Sequence, residues 1–108
     1  MDMIKVSATS RTSAVAGAIA GVIRESKHAE VQAIGAGAVN QAIKALVLAT
    51  GYLKSDGIDV VCMPEFVDVQ IDDKVRTAIK LVVEPRNAPG GAPARAGTPG
   101  MPAAPEGA

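Results

Sequence analysis

The sequence predicts a two-layer α/β fold with the order βαβαββ. Three observations predict it. Two short β-type runs are each followed by a stretch of helical period, and the chain then gives two longer β-type runs in succession. Pro64 and a polar first strand suit sheet edges, whereas the last run is continuously apolar and suits the interior. Right-handed crossovers place both helices on one face of the sheet.

Each element has its own signature. "MIKVSA" alternates, with Ile4, Val6 and Ala8 on one side and Lys5 and Ser7 on the other, as a half-buried strand does. "TSRTS" offers several N-cap residues. "AVAGAIAGVIRES" then places Val15, Ile19, Val22 and Ile23 at helical spacing. Gly17 and Gly21 lie on this helix, and close backbone approach to a neighbour would offset their cost of about 1 kcal/mol each. "EVQAI" is the second strand. "GAVNQAIKALVLATGY" is the second helix, with Val39, Ile43, Leu46 and Val47 expected on its core face and Gly51 as its stop. "IDVVCM" and "FVDVQI" form one long strand bent at Pro64, "DDKVR" turns the chain, and "TAIKLVVEP" is the last strand. The face away from the helices is expected to carry Lys5, Ser7, Gln32, Asp68, Gln70, Lys80 and Glu84.

Residues 1–86 form the expected domain. Beyond Arg86 the composition changes: residues 87–108 hold five of the seven prolines and show no apolar period. Such a segment buries too little surface to offset chain entropy, so it is expected to be a disordered Pro/Ala/Gly-rich tail.

Composition narrows the function. Of 108 residues 48% are hydrophobic and 20% charged, as in ordinary globular proteins. Eleven basic residues balance eleven acidic ones, unlike a strongly basic nucleic-acid binder. The balance is uneven, however, at +3 over residues 1–54 and −3 over 55–86, so one basic face is possible at zero net charge. A domain this small gains stability by self-association. Cys62 is the only cysteine, which excludes an intrachain disulfide and fits a reducing compartment. The first ten residues lack a signal-peptide pattern, and the most apolar window, Ala14 to Ile23, is too short for a bilayer. A cytoplasmic protein without a membrane partner is expected.

"AIGAGAVNQAIKAL", residues 33–46, has the outline of a nucleotide-binding loop. A dinucleotide fingerprint needs a third glycine where Asn40 stands, an acidic residue after the next strand, and a larger sheet. The glycines therefore serve a tight strand-to-helix turn, and no cofactor is expected. Both helices nevertheless begin where parallel strands end, so their N-termini open on one rim with free N–H groups and positive dipole ends. Ser10, Arg11, Thr12 and Ser13 stand at the first, Asn40 and Lys44 at the second. A nucleic-acid phosphate fits there; the plain alternative is side-chain capping with a solvated arginine.

Other residues carry no chemistry. His28 lies in a polar turn without metal-ligand spacing, so no metal is expected. Cys62 in an apolar strand suits packing. Asp72 and Asp73 suit a hairpin tip rather than a catalytic pair. Tyr52 and Phe66 are too few for an RNA-stacking platform. With no triad pattern either, the chain is not expected to be an enzyme.

"IKVSATS", "SAVAGAIAGVIRE", "EVQAIGAGAVNQAIKAL" and "RTAIKLVVEPR" together resemble the stage V sporulation protein S family from about Met3 to Arg86. The resemblance implies an Alba-like fold, a mixed four-stranded sheet of order 1-2-4-3 with both helices on one side. It also implies a dimeric binder of DNA or RNA and a link to sporulation and division-related regulation in bacteria. Alba-type proteins bind through a basic first loop, the second-helix region and a basic hairpin. Here the first loop has only Arg11, and Asp72 and Asp73 at the hairpin tip argue against insertion into a groove.

Two functions follow. The first is a non-enzymatic nucleic-acid-binding regulator, a homodimer or higher homo-oligomer, holding DNA or RNA phosphates with low specificity through Ser10, Arg11, Thr12, Gly35, Gly37, Asn40 and Lys44. The alternative is a protein-interaction or assembly module of the same fold without nucleic acid, which zero net charge and the acidic hairpin favour.

Overall fold

The computed structural model describes residues 3–86. The expected tail, 87–108, lies outside the described residues. The elements are β1 (Met3–Val6), α1 (Thr12–Ser26), β2 (Ala29–Ala33), α2 (Ala36–Lys54), β3 (Val60–Ile71) and β4 (Lys74–Pro85). They form one four-stranded mixed sheet of order β1-β2-β4-β3. β1 and β2 are parallel, and β4 runs antiparallel to both β2 and β3. The expected order, the edge strands and the interior β4 are all present.

The core lies between the sheet and the two helices. Val6, Val31, Ala33, Leu81 and Val83 bury their side chains from the sheet. From α1 come Val15, Ala16, Ile19, Ala20 and Ile23, and Ile19 and Ile23 are wholly buried. The helical spacing predicted this face, with Val22 at its margin.

The core face of α2 differs from expectation. The helix buries Ala38, Ala42, Ala45, Leu46, Ala49 and Leu53, not Ile43 and Val47, which are 43% and 67% exposed. Its sequence is apolar on two sides, so period alone does not choose between them. Small alanine side chains let α2 lie close to α1, with Leu46 and Leu53 buried beside them, while Ile43 and Val47 face outward. The helix also runs past Gly51 to Lys54. Gly17 and Gly21 are not sites of close approach either, since a Cβ added at each would meet nothing within 4 Å.

The hairpin is longer than expected, because β4 begins at Lys74 and pairs with β3 all the way to Ile71↔Lys74. Asp72 and Asp73 make its two-residue turn at φ 44° and 66°, the left-handed backbone that such a turn requires. Asp68 pairs with Thr77 and Gln70 with Val75, so both point to the helix side rather than to the open face. The open face of β3 instead carries Val61, Met63, Val67, Val69 and Ile71. The helices do not cover this outer strand, so its alternation does not mark inside from outside. Cys62 is likewise exposed rather than packed in a core. Partial burial raises its thiol pKa, the opposite of an activated thiolate.

His28 is more than a surface residue. Its Nε2 lies 2.9 Å from a Glu30 carboxylate oxygen and its Nδ1 lies 2.9 Å from Glu84. Lys80 adds a contact of 3.7 Å to Glu30. Hydrogen bonds to Glu30 and then Glu84 raise the imidazole pKa above 6.5, and the His28 hydrogen bond lowers that of Glu30 below 4.5. A raised histidine pKa stabilises the fold fully below the unfolded value and is lost as pH rises through the folded value. The lowered Glu30 pKa works the other way, its stabilisation being lost as pH falls through the folded value. Thermal melts should therefore show a midpoint that falls from mildly acidic to mildly alkaline pH. His28→Gln should flatten that slope; an unchanged slope would show that the bridge does not couple to folding.

Candidate nucleic-acid interface

Two loops meet at the rim where β1 and β2 end. The first, residues 7–11, is tied by its own hydroxyls. The Ser7 N–H donates to Ser10 Oγ (2.9 Å) and the Ser10 N–H to the Ser7 carbonyl (3.0 Å). The Thr9 N–H donates to Ser7 Oγ (3.2 Å). Ser10 Oγ is thus turned back into the loop and does not cap α1.

The N-cap of α1 is Arg11, at extended φ −83° and ψ 124°, and its side chain makes no capping bond. Thr12 opens the helix. The N-cap of α2 is Gly35, whose φ of 94° is a conformation that glycine adopts without strain. Neither helix has an acidic residue in its first turn. The side-chain capping that the sequence allowed is therefore absent, and both dipole ends remain unneutralised among the described residues.

The two termini are held side by side. Gln41 Nε2 donates to the Ser10 carbonyl at 2.7 Å. A Cβ added to Gly37 would lie 3.0 Å from the Ala8 Cβ, so only glycine lets the first turn of α2 seat against the first loop without displacement. Gly37 therefore lies inside the first turn of α2 as a packing glycine, and only Gly35 serves the strand-to-helix turn that the sequence assigned to both. Gln41 was not singled out from the sequence. Its only signal there was a polar residue one turn after Gly37, which does not reveal a partner 31 positions earlier.

The rim gathers Ser10, Arg11, Thr12, Gly35 and Gly37. Asn40 and Lys44 stand farther along the flank of α2, exposed and one turn apart on the same side. Lys44 is about 12 Å along the axis from Ala36, at 1.5 Å per residue. Arg11 and Lys44 are both exposed, and neither makes an ion pair among the described residues. The geometry is a corner of amides and one guanidinium, continued by a lysine along a helix flank. An extended anion matches that shape better than a compact one.

Beside the rim lies a groove of about 370 Å³. No group of three His, Cys, Asp or Glu side chains stands at metal-binding distance among the described residues. None of their helices is long and apolar enough to cross a membrane.

The family model described as Stage V sporulation protein S matches residues 2–86, all of the described chain. That match, on a fold whose order and sheet topology the sequence motifs had already implied, shows that the chain belongs to the Stage V sporulation protein S family and is a sporulation-related protein.

Proposed function

We propose that this protein is a non-enzymatic nucleic-acid-binding regulator linked to sporulation and development, working as a homodimer or higher homo-oligomer. One observation carries the reading: two helix N-termini without side-chain caps or acidic residues in their first turns are fastened together, with Arg11 at the corner and Lys44 farther along α2, neither in an ion pair among the described residues. Backbone amides and the two cations bind phosphates of DNA or RNA, and such contacts carry no direct sequence information. Only a few phosphates are neutralised by so small a site. Anisotropy titrations against labelled duplex DNA over a salt series should give a shallow slope of about −2 to −4 per bound protomer, from two to four phosphates each at about −0.9. A slope near zero would remove the phosphate site.

The second reading is a protein-assembly module without nucleic acid. Exposed apolar side chains favour it, chiefly Val47 (67%), Phe66 (78%) and Val75 (62%). Capture of protein partners that persists after nuclease treatment, with no binding in the titrations, would decide for it.

A further inference from the structure

The groove at the rim is built from three chain segments. Lys5 comes from the end of β1 and Ser7 from the loop after it, Gln32 from the end of β2, and Val69, Gln70 and Ile71 from the hairpin arm. It holds about 370 Å³, within the range of about 300–1,000 Å³ in which small-molecule sites fall. Its walls mix apolar surface from Val69 and Ile71 with the side-chain amide of Gln32, all on the open face of the sheet; Gln70, whose side chain points to the helix side, lines it with backbone. That amide makes no hydrogen bond among the described residues. An amide both donates and accepts, as the edge of a nucleobase does. No carboxylate lines the groove, and Lys5 places a positive charge in its wall.

Its position adds to its chemistry. Ser7 belongs both to this groove and to the loop that leads into the N-terminus of α1. A phosphate on the rim would thus sit one short loop from a slot with apolar walls and a free amide. A base inside a duplex is stacked and paired and does not reach such a slot, but a base of a single strand swings out freely.

We infer that the groove formed by Lys5, Gln32, Val69, Gln70 and Ile71 receives one unpaired base of a single-stranded nucleic acid whose phosphates lie on the helix rim. The inference rests on the phosphate reading above and narrows it from nucleic acid in general to single strands. The apolar walls take the faces of the base, and the Gln32 amide meets its edge.

The test uses the full chain, with short labelled RNA and DNA single strands and a DNA duplex of the same sequence. Ile71→Trp fills the groove from an exposed strand end, and Gln32→Ala removes one amide without adding bulk. Circular dichroism melts check that each variant folds. The wild type should prefer single strands. Each groove variant should weaken single-strand binding about tenfold, the scale of one or two buried hydrogen bonds, and leave duplex binding unchanged. Unchanged single-strand affinity in both variants, equal losses on both substrates, or a wild type without single-strand preference would overturn the inference. Failure of the phosphate reading shows separately, as undiminished binding by the Arg11→Glu, Lys44→Glu double variant on every substrate.

Discussion

The double variant Arg11→Glu, Lys44→Glu is expected to lose nucleic-acid binding, by about a hundredfold or more at moderate salt, while keeping its fold. Both side chains are exposed and neither joins an ion pair among the described residues, so no packing or bridge is lost on reversal. The cost falls on the ligand. Each reversal replaces an attraction to phosphate by a repulsion, and a glutamate at position 11 also sits at the N-terminus of α1, where it occupies the amides as an internal anion. Anisotropy reads the affinity and a thermal melt reads the fold. Affinity equal to that of the wild type, with an unchanged melt, would remove the rim from the account.

The largest expected effect on stability lies in α1. Ile19 is wholly buried against the sheet and α2, and it is among the largest side chains so enclosed. Ile19→Ala should cost about 2–5 kcal/mol, the lost transfer energy plus the cavity left behind. Against a total of about 5–15 kcal/mol for a typical domain, that is a large share. The core has few substitutes for this volume, since α2 contributes four buried alanines to the same layer. Urea unfolding should show a lower midpoint with the same slope, because the surface exposed on unfolding hardly changes. A loss below about 0.5 kcal/mol, the range of surface substitutions, would contradict burial of this face.

Much of the fold was legible in the sequence because two periodicities do not conflict along most of the chain. "MIKVSA" alternates, "AVAGAIAGVIRES" repeats at helical spacing, and Pro64 marks an edge. The α2 face was not legible. Ala42, Ala45 and Ala49 compete there with Ile43 and Val47, and hydropathy favours the bulkier set although close packing on α1 selects the smaller one. The faces of β3 were misread for a related reason, since no helix covers that strand and Asp68 and Gln70 pay no burial penalty on the helix side.

The candidate site was partly legible. Gly35 and Gly37 flagged the second loop, and the coupling of topology to helix direction placed both N-termini on one rim. The contact between Gln41 and Ser10, the turning of Ser10 into its own loop and the groove beside it depend on tertiary approach that no local pattern encodes. His28 shows the same limit. Its carboxylate partner Glu84 is 56 positions away in sequence.

Amide chemical-shift mapping would show residue by residue where a nucleic-acid strand meets the protein. Isotope-labelled protein is titrated with a short single strand, and the shift of every backbone N–H is followed. The largest changes should fall on residues 11–14 and 36–39, at the first turns of α1 and α2. Changes confined to the exposed α2 residues Val47 and Tyr52 or to Phe66 on β3, with those first turns silent, would contradict binding at the rim.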